Sequence, residues 1–280
     1  MLTKKELKEL KLKSNSVRIN IIKMISESKS GHPAGSLGIV DILITLYSKL
    51  IKHNPKKPNW NKRDRFILSP GHVCPALYAT LAEEGYFKKE ELITLRKLGS
   101  KLQGHPHKED LQGIELSTAS LGQGLGAAVG IALGLKLNKS KNYVYCISSD
   151  GEHDEGSVWE AVNAANKYKL NNLINIIDVN NIQICGYTKD VWPLESFKAK
   201  YESFNWKVIE INGNNHCQIV SAIEKAKKLN YPVCIVAYTV PGKGVSFMEH
   251  KYQWHGKAPN QEEKESALQE LEKERELIIK

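Results

Sequence analysis

The spacing of apolar positions changes along this chain, and each change marks an element. Over residues 3–28, Leu7, Leu10, Val17, Ile21, Ile22 and Ile25 recur at helical spacing. Thr3 and Glu6 fit a capping box at the start of that helix. A second, strongly apolar helix is predicted over 37–51, and a loop with Pro55 and Pro58 follows. Short runs at 65–68, 142–147, 173–177, 206–211 and 233–238 read as strands. Between and around them, helical patterns cover 73–84, 90–98, 121–137, 155–170, 196–203 and 217–229. A charged helix over 262–279, with Leu268, Leu271 and Ile278 on a weak apolar face, closes the chain. Alternating strands and helices predict one α/β domain over residues 1–280, a doubly wound parallel sheet with helices on both faces. The last helix is expected at its periphery.

Two strand ends carry the candidate chemistry. The strand at 142–147 stops at Ser148-Ser149-Asp150-Gly151, and the strand at 173–177 runs into Asp178-Val179-Asn180-Asn181. A right-handed βαβ unit brings both turns to the carboxyl edge of one sheet. Asp150 and Asn180 then converge, although thirty positions separate them. A carboxylate, an amide oxygen and a backbone carbonyl form a hard oxygen site. Such a site suits Mg2+ or Ca2+, with phosphate oxygens completing the shell. Gly151 lets a phosphate approach the backbone, and the helix that follows offers unpaired amides. Alone, Asp150 reads as a helix cap; the paired amide turn favours a metal-diphosphate site.

Composition narrows the class. The 280 residues carry a formal charge of +9, with lysines dispersed among glutamates. This describes a solvated surface that can also attract anionic substrates or an acidic partner. No basic block interleaved with aromatics points to nucleic acid. No run approaches membrane-spanning length, and the lysine-rich N-terminal segment lacks a signal-peptide core, so a cytoplasmic protein is expected. Five cysteines without paired spacing read as reduced thiols.

Of nine histidines, His32, His72, His105 and His255 lie in turn-forming loops, where imidazoles can bind diphosphate, orient hydroxyls and relay protons. His53, His107, His216 and His250 read as structural or surface residues, and His153 as facing solvent beside the metal turn. His105 and His107 lack a third ligand for zinc. Gly122, Gly126, Gly130 and Gly134 stand four apart, which calls for close approach of another helix or chain. Gly122-Gln123-Gly124-Leu125-Gly126 forms no dinucleotide fingerprint, since a loop rather than a strand precedes it.

The Asp150-Gly151 turn paired with Asn180-Asn181 resembles the thiamine diphosphate motif, with Ser149 at its first glycine. The following Glu-His-Asp-Glu-Gly-Ser-Val-Trp-Glu-Ala resembles transketolase. So, in order, do Ser30-Gly31-His32-Pro33, Ser69-Pro70-Gly71-His72, Gly104-His105-Pro106, Ser117 to Gly124, and Tyr252 to Pro259. The chain is similar to the N-terminal half of that family over nearly its whole length.

The resemblance implies that Asp150, Asn180 and the Ile182 carbonyl bind Mg2+, with Ca2+ as the alternative. It implies that Gly151 and His72 contact the diphosphate, that Ala119, Leu121 and Ile184 lie on thiamine diphosphate, and that Glu155 supports the site. His32, His105 and His255 would face a sugar phosphate, from which a two-carbon ketol unit moves to an aldose, as in the pentose phosphate pathway. A separate C-terminal subunit with the pyrimidine-binding domain is expected, in a heterotetramer. Ser149, Ala119, Cys185 and Pro241 depart from the family pattern. They leave open a 1-deoxyxylulose-5-phosphate synthase-like activity or a degenerate scaffold subunit.

Overall fold

The computed structural model describes residues 2–194 and 196–280. Its strands are β1 (Arg65–Leu68), β2 (Val144–Ser149), β3 (Leu173–Val179), β4 (Ile182–Gln183), β5 (Gly186–Tyr187), β6 (Lys207–Asn212) and β7 (Val233–Tyr238). Five of them form one parallel sheet in the order β1-β2-β3-β7-β6, and β4 and β5 form a small antiparallel hairpin. The three central strands are nearly continuous apolar runs because both faces are covered.

Side chains alternate between the two faces. Tyr145, Ile147, Ile174, Ile176 and Ile235 face one core, with α1 (Lys4–Ser28), α2 (Pro33–Gly38), α3 (Val40–Thr45), α4 (Cys74–Glu83) and α9 (His216–Ala226). Val144, Cys146, Leu173, Ile177 and Val236 face the other, with α5 (Gln123–Leu137), α6 (Gly156–Lys167) and α8 (Phe197–Ser203). A short helix α7 (Thr188–Val191) follows the hairpin, and α10 (Gln261–Ile279) lies along α1 with Ala267 and Leu271 fully buried. Cys74, Cys146 and Cys234 are buried free thiols, and Cys185 and Cys217 are exposed. Among the described residues no helix is long and apolar enough to cross a membrane.

Sequence expectation and structure differ where local geometry intervenes. The capping box at Thr3 and Glu6 is present. The helix expected over 37–51 instead begins at Pro33, where proline's fixed φ suits the first helical turn. It breaks at Ile39 and ends in a π turn, Leu46–Leu50. The helix expected over 90–98 is a 3-10 turn, Lys89–Thr94, because the chain turns away at Leu95 and Arg96 takes a left-handed φ of 59°.

The glycines of α5 divide into two kinds. A Cβ on Gly124 would lie 2.7 Å from Ser69 Cα, whereas nothing lies within 4 Å of one on Gly126, Gly130 or Gly134. No described residue lies against the open face, so the close approach that the spacing called for is not made among the described residues. Gly124→Ala should lower stability by about 1–3 kcal/mol through overpacking. Gly130→Ala should raise it by up to about 1 kcal/mol through helix propensity. Urea unfolding of the isolated chain should show the two midpoints moving in opposite directions.

Candidate active site

The register of β2 against β3 sets Ser149 beside Asp178, so the two strand ends finish together. The Asp150 carboxylate joins them. Its Oδ1 accepts from the Gly151 amide at 2.8 Å and its Oδ2 from the Asn181 amide at 2.6 Å. One oxygen caps the turn and the other crosses to the next strand. A 3-10 turn, Gly151–Asp154, follows, so α6 begins only at Gly156 rather than directly after the strand.

Asn180 is fixed in orientation. Its Nδ2 donates to Asp178 Oδ2 at 2.8 Å, which leaves Oδ1 as the acceptor for the Ile182 amide at 3.0 Å. Asp178 also accepts a short hydrogen bond from the Thr239 hydroxyl. These partners of the two carboxylates are all uncharged. Burial raises the Asp150 pKa to about 7, with the charge of Asp178 adding to it, and burial raises that of Asp178 to about 6. Two buried carboxyls disfavoured as anions, beside an oriented amide oxygen, have the chemistry of a cation site. Among the described residues no group of three His, Cys, Asp or Glu side chains could hold a metal, and His107 instead pairs with Asp110.

A cavity of ≈ 140 Å³ opens above this pair, lined among others by His32, His72, Leu121, Gly151, Ile182, Ile184 and His255. The rings of His32 and His72 lie 4.9 Å apart, those of His72 and His255 5.3 Å, and those of His32 and His255 5.6 Å. Burial lowers the His72 pKa to about 3 and the His32 pKa to about 4, with neighbouring imidazoles reinforcing both. These rings are neutral bases at physiological pH. Among the described residues His32 Nδ1 is buried without a partner. Ile184, at the rim, is exposed.

Three expected positions lie outside this cavity. His105 and Ala119 line a neighbouring, more open cleft of ≈ 660 Å³. Glu155 is exposed. Glu152 is the carboxylate that reaches in: it accepts from the Gly122 amide at 2.7 Å, from the Ser149 amide at 3.3 Å and, in a short bond, from the Ser69 hydroxyl. It thereby ties the loop before His72, the loop at Leu121 and the Asp150 turn together.

His153, expected to face solvent, is fully buried. Its Nδ1 lies 2.6 Å from the Ser149 carbonyl and must donate there, so Nε2 accepts from Tyr201 Oη at 2.9 Å. Apolar spacing gives no sign of either contact, because a charged or polar residue in a turn looks solvated until its partners on other elements are known. Asp178 is visible in the sequence as a polar break in an apolar run, without a partner to assign it.

Comparison with known proteins places this geometry. The model of the transketolase thiamine diphosphate-binding domain matches residues 10–276. The chain belongs to the transketolase family. It is 43% identical over 267 residues to the 6-deoxy-6-sulfo-D-fructose transketolase subunit SqwG of Clostridium sp. (strain MSTE9), covering 95% of this chain and 97% of that protein. It is 39% identical to an apulose-4-phosphate transketolase subunit from Phocaeicola vulgatus, covering 95% of each. The solved transketolase of Campylobacter jejuni superposes with a TM-score of 0.84 at 33% identity, over 96% of this chain and 48% of that one. The chain therefore spans about half the length of that single-chain transketolase and nearly all of the two separate subunits. It is a transketolase-type subunit that uses thiamine diphosphate, and the synthase and scaffold alternatives are not favoured.

Glu152→Ala leaves three donors without their acceptor, two of them backbone amides, and should cost about 2–3 kcal/mol. Glu155→Ala, on an exposed side chain, should stay within about 0.5 kcal/mol of wild type. Urea denaturation of the chain alone distinguishes the two. The raised Asp150 pKa carries a second expectation. A carboxyl whose folded pKa lies above its ordinary value loses stability as pH rises from about 4 to 7. Asp150→Asn should therefore gain on wild type as pH rises, its melting-temperature advantage being larger at pH 8 than at pH 5.

Proposed function

We propose that this chain is the cofactor-binding subunit of a two-chain, cytoplasmic transketolase that moves a two-carbon ketol unit from a ketose with an anionic end to an aldose phosphate. The observation that carries this reading is the convergence of Asp150 and Asn180 beneath a cluster of three neutral histidines. The residues fit the cofactor. Asp150, Asn180 and the Ile182 carbonyl would hold a divalent cation, Mg2+ in preference to Ca2+, and the cation would neutralise a diphosphate. Gly151 and His72 would meet the diphosphate, and Leu121 and Ile184 would pack on the cofactor. Ala119, one cleft away, would meet the part of it that reaches outward. Thiamine diphosphate, when bound, supplies the carbon that carries the ketol unit.

The chain's own part is proton handling. His32 and His255, adjacent and lowered below the ordinary histidine range by burial, would accept protons from donor hydroxyls and return them to the acceptor. His105 would face the same sugar from the neighbouring cleft. Glu155, exposed in this chain, would support the site from the subunit interface. SqwG and the apulose-4-phosphate enzyme are named for ketoses bearing a sulfonate and a phosphate. A net charge of +9 suits such donors.

The relatives that match this chain end to end are named as subunits. The pyrimidine-binding part is accordingly assigned to a C-terminal partner, in a heterotetramer, and the open glycine face of α5 is offered for contact with it. The test is ketol transfer by the purified chain, its partner, thiamine diphosphate and Mg2+. Activity should appear only with both chains, and His255→Ala should lower kcat by about 10²–10⁴-fold. Full activity of this chain without a partner would falsify the two-chain assignment.

A further inference from the structure

His32 and His105 line different clefts, yet one side chain connects their loops. Arg96 Nη1 donates to Ser30 Oγ at 2.6 Å and Nη2 to the Gly104 carbonyl at 3.2 Å. Ser30 stands two residues before His32, and Gly104 one residue before His105. The same 103–105 segment is held from beneath by α4. The Tyr78 hydroxyl lies 3.0 Å from the Gln103 carbonyl and 3.1 Å from that of His105, and Cys74 Sγ lies 3.2 Å from that of Gly104.

Arg96 holds this place against its own preferences. Its backbone is left-handed, with φ 59°, a region that side-chain-bearing residues rarely adopt. Its amide is pinned to the Leu102 carbonyl at 2.8 Å. Its Nε is buried without a partner among the described residues, 3.1 Å from where a Cβ on residue 104 would sit. Both oxygens it grips are uncharged, so among the described residues no ion pair explains the arrangement. Strain and an unpaired buried donor concentrate where a site requires them.

We propose that Arg96 is a positioning residue for ketol transfer, its planar fork fixing the His32 loop against the His105 loop. The inference rests on the reading of those two histidines as substrate-facing. A guanidinium can span two acceptors in fixed geometry, which an ammonium cannot. The charge acts in the same direction as the geometry. His32 is lowered by burial first, then by His255, Arg96 and His105, and His105 by burial first, then by Arg96. Among the described residues Arg96 also acts on Cys74 and Tyr78, both pushed up by burial and neutral. Arg96 thus favours uncharged imidazoles. Loss of its charge raises their pKa values and moves the acid limb of activity to higher pH.

The experiment compares Arg96→Lys and Arg96→Met in the reconstituted two-chain enzyme with thiamine diphosphate and Mg2+, beside NMR titration of the histidines in this chain alone. Arg96→Lys keeps the charge and loses the fork. Donor kcat/KM should fall by about 100-fold, as expected for a misplaced reacting group, with the imidazole titrations unmoved. Arg96→Met should show the same fall, with His105 titrating at higher pH and the acid limb shifted upward. Ser30→Ala removes one of the two anchors, should give an intermediate fall, and carries the test if Arg96→Met does not fold.

A folded Arg96→Met enzyme within about twofold of wild type in donor kcat/KM overturns the proposal. So does an equal loss in both variants with lowered melting temperatures, unmoved titrations and an unmoved acid limb, which marks a structural role only. Full activity of His32→Ala and His105→Ala would sink the parent reading by itself, and it is seen independently of any Arg96 variant.

Discussion

The site depends on one carboxylate that is expensive to bury. Asp150 sits at the end of β2, enclosed by the fold, and spans to the Asn181 amide beyond β3. Its neighbour Asp178 is buried as well and spends both oxygens on Thr239 and Asn180. Among the described residues neither carboxyl has a cationic side chain bonded to it, and burial drives both pKa values up. A fold that only needed stability would place apolar residues there. The proposed cation would complete the arrangement, in a domain whose family binds thiamine diphosphate.

Around that pair the sheet edge is assembled from loops that do not share elements. Glu152 gathers the Ser69, Gly122 and Ser149 segments, His153 and Tyr201 hold the Ser149 carbonyl from below, and Arg96 reaches from Ser30 to Gly104. Most of these contacts join positions far apart in sequence. The result is a cross-linked floor under His32, His72 and His255, whose rings already lie close against one another. The outer wall is different. Ala119, Glu155, Ile184, Gly126 and Gly130 are open to solvent in this chain.

The fold was legible because its signals are local and periodic. The strands Arg65–Leu68 and Val233–Tyr238 match their apolar runs residue for residue, and Thr3 with Glu6 caps α1 as their spacing required. The convergence of Asp150 and Asn180 was legible because βαβ handedness fixes it. The sequence did not disclose which acid in Gly151–Glu155 turns inward. Glu155 is the motif position, and the 3-10 turn points Glu152 at Gly122 while Glu155 stays exposed in this chain. His153 and Arg96 were hidden for the same reason. A polar residue in a turn reveals nothing about a partner brought close only by tertiary packing, and the left-handed backbone at Arg96 has no glycine or asparagine to announce it.

The most direct test of the account is calorimetric titration of thiamine diphosphate with Mg2+ into this chain, with and without its partner. Binding should appear or tighten when the partner is present if, as proposed, the cation and diphosphate contacts lie on this chain and the pyrimidine contacts on the other. Absence of binding in both titrations, with the protein folded and Asp150 and Asn180 intact, would contradict it.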